Sequence, residues 1–226
     1  MSLLKRTLFA AVSAACLFTG APPPLLAAGF DARPVTIETQ GGNVASITVT
    51  NPGDRRIYLE NSVHEWRQDP SGKDVLTESN AAVVSPPGIW VLPGATYNLR
   101  IQLPPASDRE LAFRVILQQL PDKGEIQAGR IVFAVTQSLP AFAEPAQPTP
   151  AVLHGRIVDP QHLLITNDGG RRARLADIRV DGRLVEPGLV GYALAHSSVL
   201  VTLRSPVRAG RVEIETDQGR RIVELR

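Results

Sequence analysis

The feature of this chain that most constrains its fold is a one-by-one alternation of apolar and polar residues over short runs. A period of two is typical of a β-strand with one buried and one exposed face. Turn signals such as Asn51-Pro52-Gly53-Asp54 separate the runs. The pattern predicts an all-β protein whose first part is an immunoglobulin-like sandwich of about six to eight strands. The clearest runs are Ser46–Thr50, Thr96–Leu103, Leu111–Leu117 and Ile131–Thr136.

A second, smaller β-sandwich is predicted after a proline-rich segment. Four prolines fall between Pro140 and Pro150, a composition that suits a stiff extended linker. Beyond it, apolar runs again alternate with turns, among them Asn167-Asp168-Gly169-Gly170. We therefore expect a first domain over residues 29–140, a linker over 141–150 and a second domain over 151–226.

The N-terminus has the composition of a signal peptide. Lys5 and Arg6 precede the apolar run Leu8–Thr19, and small residues near Ala28 offer a cleavage site. We expect residues 1–28 to be removed and the mature chain to lie in the periplasm. The mature chain then has 22 basic and 22 acidic residues, which gives no electrostatic argument for nucleic acid. It retains no cysteine and no apolar run long enough for a membrane span.

Motifs for catalysis, cofactors or metals are missing from the sequence. There is no nucleophile elbow, phosphate-binding loop, dinucleotide fingerprint or zinc-protease motif. The four histidines lack metal-ligand spacing, and His64 and Glu65 would point to opposite faces of a strand. The sequence therefore predicts neither an enzyme nor a cofactor. We expect Trp66 and Trp90 to pack in the core or between the sheets rather than to form a platform for a ligand.

Several segments of the first part resemble periplasmic pilus and fimbrial assembly chaperones of the chaperone–usher pathway, most closely the archaic branch. The turn at Asn167-Asp168-Gly169 resembles its counterpart in the second domain of that family. The segments that carry the resemblance are Val35–Glu38, Val49–Pro52, Val84–Pro87, Leu92–Ala95, Asn98–Ile101, Glu110–Val115 and Gln119–Pro121.

This resemblance implies two immunoglobulin-like domains arranged as an L or boomerang. It also implies a mechanism, in which the chaperone lends a strand to an incomplete pilus, fimbrial or spore-coat-like subunit and delivers it to an outer-membrane usher. The lent strand would be Gly129–Leu139, with Ile131, Phe133 and Val135 filling the pockets of the subunit. Val35 and Ile37 of the first strand would contact the same subunit.

Alternation alone leaves another interpretation of the lent strand open. Ile131, Phe133 and Val135 would then face the core of their own domain, because a period of two does not identify which face is buried.

The family also holds the C-terminal carboxylate of the subunit with basic side chains in the cleft between domains. Arg114 and Arg33 are the candidates in this sequence, since guanidinium pairs well with carboxylate. Pro140 stands where many family members have a lysine, so this anchor departs from the usual pattern. An ordinary exposed strand arginine is the alternative for Arg114.

Two other functions remain open from the sequence. One is a secreted structural or adhesive β-sandwich fibre protein, and the other is an enzyme or carbohydrate-binding module. The proline linker, the lack of cysteine and the short mature N-terminus favour the chaperone over the fibre protein.

Overall fold

The computed structural model describes residues 29–39, 42–121 and 134–225. Within these ranges every regular element is a β-strand, and none of the described residues lies in a helix. The all-β prediction is confirmed. No helix of the described part is long and apolar enough to cross a membrane.

Two sheets enclose the core of the first domain. One sheet has the strand order β1-β3-β8-β6, and the other has the order β2-β10-β9-β4-β5 with β7 also paired to β4. The strands are β1 (Asp31–Arg33), β2 (Ile37–Glu38), β3 (Val44–Thr50), β4 (Ile57–Gln68), β5 (Asp74–Glu78), β6 (Val83–Ser85), β7 (Gly88–Val91), β8 (Thr96–Gln102), β9 (Leu111–Leu120) and β10 (Thr136–Ala143).

The alternating residues found in the sequence build the core between these two sheets. Ile47 of β3 lies opposite Leu99 of β8 in the ladder, and these two residues are completely buried together with Val49 of β3 and Ile101 of β8. Their polar neighbours lie on the outer face, where Thr48 donates a hydrogen bond to Asn98. The two-sided character of each strand therefore sets which face is buried.

The second domain is a seven-stranded arrangement in the order β14-β13-β16-β17-β11-β12-β15, with its own apolar core. It confirms the predicted second sandwich. Its strands are β11 (Leu153–Asp159), β12 (His162–Asn167), β13 (Ala173–Val180), β14 (Arg183–Ala193), β15 (Ser197–Thr202), β16 (Val212–Thr216) and β17 (Gly219–Leu225).

Two sequence-based expectations need correction. β10 continues to Ala143, so the predicted linker over 141–150 begins three residues too early. The reason is burial: Ala141, Phe142 and Ala143 have no exposed surface, and they stay paired to β9. Trp66 is buried as expected, but Trp90 is 45% exposed, so its assignment to the core is wrong.

Candidate functional site

One edge of the first domain is left partly open along β10. β10 pairs with β9 from Thr136 to Ala143, whereas among the described residues its other side pairs with β2 only at Ala141 and Phe142. The backbone N–H of Gln119 donates to the carbonyl of Val135, which makes that pair hydrogen-bonded. In an antiparallel ladder the hydrogen-bonding direction alternates, so even-numbered residues of β10 direct their N–H and C=O groups away from β9.

The outward direction of the even positions is visible at Phe142, whose carbonyl accepts a hydrogen bond from the N–H of Thr39 in the β2 segment. Thr136 and Ser138 have the same phase but lie before the two residues paired with β2. Within the described residues, their outward main-chain groups have no strand alongside. They form an unpaired row at a sheet edge, the kind of edge to which another strand can add.

The inward face of β10 loses its cover toward the N-terminal end of the strand. Ala141 is fully buried and Leu139 is 6% exposed, whereas Val135 is only half-buried and packs at the margin of the core. Val135 thus lies on the side of its own core, while Ala134 is exposed on the other side. The predicted residues Ile131 and Phe133 lie outside the described residues, and their assignment stays a prediction.

The first strand divides between the two sheets. β1 pairs with β3, whereas β2 crosses to the other sheet and runs parallel to β10, with Ile37 opposite Ala141. Between them Val35 is 63% exposed, two residues before Ile37, which pairs with Ala141 of β10. The side chain of Ile37 is 1% exposed and belongs to the core of its own domain. Of the two predicted first-strand contacts, only Val35 therefore has its side chain available.

Arg114 lies near the junction of the two domains. It stands on β9 opposite Pro140, and its guanidinium lies over the indole of Trp66 at 3.7 Å. Burial lowers the pKa of Arg114, and the negative charge of Asp74 opposes that effect. A guanidinium remains protonated at neutral pH even so, because its ordinary pKa is very high.

Arg33, the second predicted anchor, does not lie in the same sheet as Arg114. Arg33 is exposed on β1 opposite Thr48, and β1 belongs to the other sheet of the sandwich. The structure therefore places Arg114 beside the junction and Arg33 at the start of the divided first strand.

A buried charge cluster between the domains escaped the sequence analysis. Arg172 of the second domain is bound by Glu38 and Glu110 of the first domain, and by Glu144 at 3.2 Å just beyond β10. Its guanidinium also lies 3.7 Å above the ring of Phe142. Burial raises the pKa of Glu110 to about 7, although the charge of Arg172 opposes the rise. These acids are distant in sequence, so only the Arg171-Arg172 pair after the Asn167 turn offered a signal.

Apolar and main-chain contacts fix the second domain beside the same sheet. Trp66 and Phe142 form an aromatic cluster with Tyr192 and Leu194. The amide of Gln68 donates to the carbonyl of Tyr192 at 2.7 Å and accepts from the N–H of Leu194 at 3.0 Å. The junction therefore holds the sheet that carries β10 and Arg114 in a fixed relation to the second domain.

No group of acidic, histidine or cysteine side chains suited to a metal ion occurs in the part of the chain that the structure describes.

Two immunoglobulin-like sandwiches, joined beside a divided first strand and a partly open edge strand, define the architecture of the two-domain pilus-assembly chaperones. Residues 33–149, just over half of the chain, match the family model described as pili and flagellar-assembly chaperone, PapD N-terminal domain. The chain belongs to this family of chaperones.

Solved structures of low sequence identity share the whole fold. One is the complex of the chaperone CsuC with the tip adhesion subunit CsuE, from archaic chaperone–usher Csu pili of Acinetobacter baumannii. It has a TM-score of 0.67 and 22% identity, over 88% of this chain and 98% of that one.

A second similar structure is the complex of the SafB chaperone with the SafA pilin of Salmonella enterica, with a TM-score of 0.63, 18% identity and coverages of 86% and 96%. The CupB2 chaperone of Pseudomonas aeruginosa has a TM-score of 0.59 and 18% identity, with coverages of 87% and 100%. No curated protein sequence matches the chain.

Proposed function

We propose that the protein is a non-enzymatic periplasmic chaperone that binds a pilus or fimbrial subunit by lending it β10, and then passes it to an outer-membrane usher. Export by the signal peptide over residues 1–28 is part of this proposal. So is membership of the archaic branch, which the residue pattern near Pro140 and the likeness to CsuC favour. The observation that carries the proposal is the open main-chain edge at Thr136 and Ser138.

The edge supports strand addition for a geometric reason. A subunit strand laid against β10 meets outward N–H and C=O groups at every second residue, so the two sheets join through main-chain hydrogen bonds. Pro140 lies at an even position, where its missing N–H costs nothing in the ladder to β9. The bond pattern of β10 thus leaves the ladder to β9 intact while a partner strand is bound.

The side-chain face of the same strand favours the same partner. A period of two gives Ile131 and Phe133 the same phase as Val135, which is only half-buried at the margin of the domain's own core. The two interpretations of this face are therefore compatible. The same face of β10 packs in the domain's own core at Ala141 and is available to a subunit toward the N-terminal end of the strand. Exposed Val35 adds apolar surface beside it.

Arg114 is the proposed anchor for the C-terminal carboxylate of the subunit. Stacking on Trp66 restricts its guanidinium, and partial burial strengthens a charge-assisted hydrogen bond. Arg33, in the divided first strand, stays a secondary candidate. The subunit would then be held by its terminus at the junction and by its open edge along β10.

Co-production of the protein with its natural pilus subunit tests the proposal. A one-to-one complex should be recovered from the periplasm. Ser138→Pro removes one outward N–H and should weaken the complex about tenfold, the size of one main-chain hydrogen bond. Ser138→Ala keeps that N–H and should bind like the parent protein.

Thermal unfolding of the two Ser138 variants separates lost binding from lost folding. Recovery of free chaperone only, with the natural subunit present in the same cells, would refute the proposed function. Equal binding by Ser138→Pro and Ser138→Ala would refute the role of the β10 edge.

A further inference from the structure

The short strand β2 lies at the end of the open edge of β10. It consists of two residues, Ile37 and Glu38, which run parallel to Ala141 and Phe142. One further main-chain hydrogen bond follows, from the N–H of Thr39 to the carbonyl of Phe142 at 3.2 Å. A ladder this short has few hydrogen bonds of its own, so side-chain contacts must help to hold it in place.

The two side chains of β2 point to opposite faces of the sheet, as neighbouring side chains on a strand do. Ile37 is 1% exposed and lies in the core of the first domain. Glu38 points the other way and pairs with the guanidinium of Arg172 in the second domain. β2 is therefore held on one face by its own domain and on the other face by the second domain.

Arg172 contacts both strands of this small ladder at once. Its guanidinium pairs with Glu38 of β2 and lies 3.7 Å from the centre of the Phe142 ring on β10. Phe142 stands directly opposite Glu38 in the ladder. The same guanidinium is also bound to Glu110 and, at 3.2 Å, to Glu144. These two carboxylates hold the guanidinium in place independently of Glu38.

β2 lies where the outward row of main-chain groups on β10 would otherwise continue. Thr136 and Ser138 have no strand alongside within the described residues. The next outward position is Pro140, which has no N–H to donate. Phe142 follows, and β2 covers it. The last outward N–H of this row that another strand can use is therefore that of Ser138.

We propose that Arg172 of the second domain sets the C-terminal end of the open β10 edge, by holding Glu38 and with it β2 against Phe142. Arg172 is thus a positioning residue that acts through β2. The inference rests on the proposed function for its meaning, because a subunit strand that adds to β10 meets β2 as a fixed stop. Such a stop limits the registers in which the subunit strand can pair.

Two main-chain amides distinguish this role from a general contribution to domain docking. The N–H of Thr39 donates to Phe142 and therefore reports on the attachment of β2 to β10. The N–H of Leu194 donates to the side chain of Gln68 at 3.0 Å, a contact between the domains that does not involve β2. A loosened junction would expose both amides, whereas a released β2 would expose only that of Thr39.

Hydrogen exchange of single amides, followed by nuclear magnetic resonance on the full two-domain protein, tests the inference. Glu38→Ala removes the contact to Arg172 and leaves that guanidinium with two carboxylates, so the junction should stay folded. We expect the Thr39 N–H to exchange about tenfold faster than in the parent protein, or more, since a charge-assisted hydrogen bond is lost. The Leu194 N–H should exchange at the parent rate.

Two further variants supply the controls. Glu144→Ala removes another carboxylate from the same arginine, at a residue that lies beyond β10, and should leave the exchange of Thr39 close to the parent rate. Glu38→Gln keeps an oxygen that can accept a hydrogen bond from Arg172, so its Thr39 rate should fall between those of the parent and Glu38→Ala. Thermal unfolding verifies that each variant is folded under the conditions of the exchange experiment.

The complex of the parent protein with its natural pilus subunit supplies a second measurement. A subunit strand bound along β10 should slow the exchange of the Ser138 N–H, which points outward at the open edge. If β2 is a fixed stop, the N–H of Thr39 stays as protected in the complex as in the free protein. Displacement of β2 by the subunit would instead make the Thr39 N–H exchange faster.

Four results would overturn the inference: unchanged Thr39 exchange in Glu38→Ala, equal acceleration of Thr39 and Leu194 in that variant, an equal effect of Glu144→Ala on Thr39, or faster Thr39 exchange once the subunit is bound. Failure of the proposed function is distinguishable from these, because the subunit would then leave the Ser138 N–H unprotected. The exchange rates of the free variants test how Arg172 holds β2 in either case.

Discussion

Replacing Arg172 by methionine tests how the two domains are held together. The guanidinium of Arg172 is 3% exposed and is the shared partner of three carboxylates, of which Glu110 is 1% and Glu144 is 9% exposed. Removing one partner of a buried ion pair leaves the other charge uncompensated, which costs about 3–5 kcal/mol. We expect a loss of this size in the free energy of unfolding at pH 8, which is above the pKa of Glu110.

The same reasoning predicts how the loss is recovered. At pH 5.5 it should shrink, because an acid without its cation takes up a proton instead of remaining charged. The double variant Arg172→Met with Glu110→Gln should regain much of the loss, since a neutral pair avoids the penalty. Arg172→Lys keeps the charge without the planar fork and should fall between the parent and Arg172→Met.

Urea unfolding followed by tryptophan fluorescence measures these changes. A Trp90→Phe background leaves Trp66 as the only tryptophan, and Trp66 contacts Tyr192 across the junction with ring centroids 5.7 Å apart. Its emission should shift to longer wavelength at lower urea in Arg172→Met. A loss below about 1 kcal/mol, the level of an exposed ion pair, would refute a binding role for the cluster. A loss independent of pH would refute the electrostatic cause.

Three further predictions follow from single groups. Asn167→Ala should destabilise the protein more than Asn51→Ala, because the side chain of Asn167 makes five hydrogen bonds to main-chain groups and that of Asn51 makes three. In urea unfolding the free energy of unfolding should fall by about 2–4 kcal/mol in each variant. Equal urea midpoints for the two variants would contradict the ranking. The folded pKa of Glu110, about 7, lies above its ordinary 4.5, so the folded state holds a proton that the unfolded state has released. The stabilisation that this proton contributes is full below about pH 4.5 and is lost as the pH rises through 7, and Glu110→Gln should flatten that slope in unfolding experiments across pH 4.5–8. Gly72→Ala should destabilise the protein more than Gly94→Ala. Both glycines have positive φ, but only at Gly72 would an added Cβ clash with the backbone of Val199 and Leu200. Similar melting temperatures for the two variants would show that the backbone at Val199 and Leu200 moves aside, and would contradict the prediction.

The sequence was sufficient for the parts of the fold that depend on local alternation. Ile47, Val49, Leu99 and Ile101 were identified as strand residues with one buried face because a period of two is a property of neighbouring residues. The same signal says nothing about what covers a face. It therefore failed at Trp90, which lies on a paired strand but outside the core.

The parts that sequence reasoning missed depend on contacts between distant segments. Arg172 meets Glu38, Glu110 and Glu144 only because two domains fold and dock, and no spacing in the sequence links these acids to Arg172. The end of β10 was missed for a related reason. Composition places a linker where prolines begin, whereas burial at Phe142 between the two domains keeps the strand going.

The β4–β5 hairpin has a practical consequence for work with fragments. Its tip reaches the second domain, where the carbonyl of Gly72 accepts a hydrogen bond from the N–H of Leu200. A protein cleaved between Glu144 and Pro150 would stay together, because the contacts between the hairpin and the second domain do not depend on the cleaved segment. Either half produced alone would instead expose its part of the aromatic cluster at the junction to solvent, and would aggregate. Biophysical samples should therefore contain both halves.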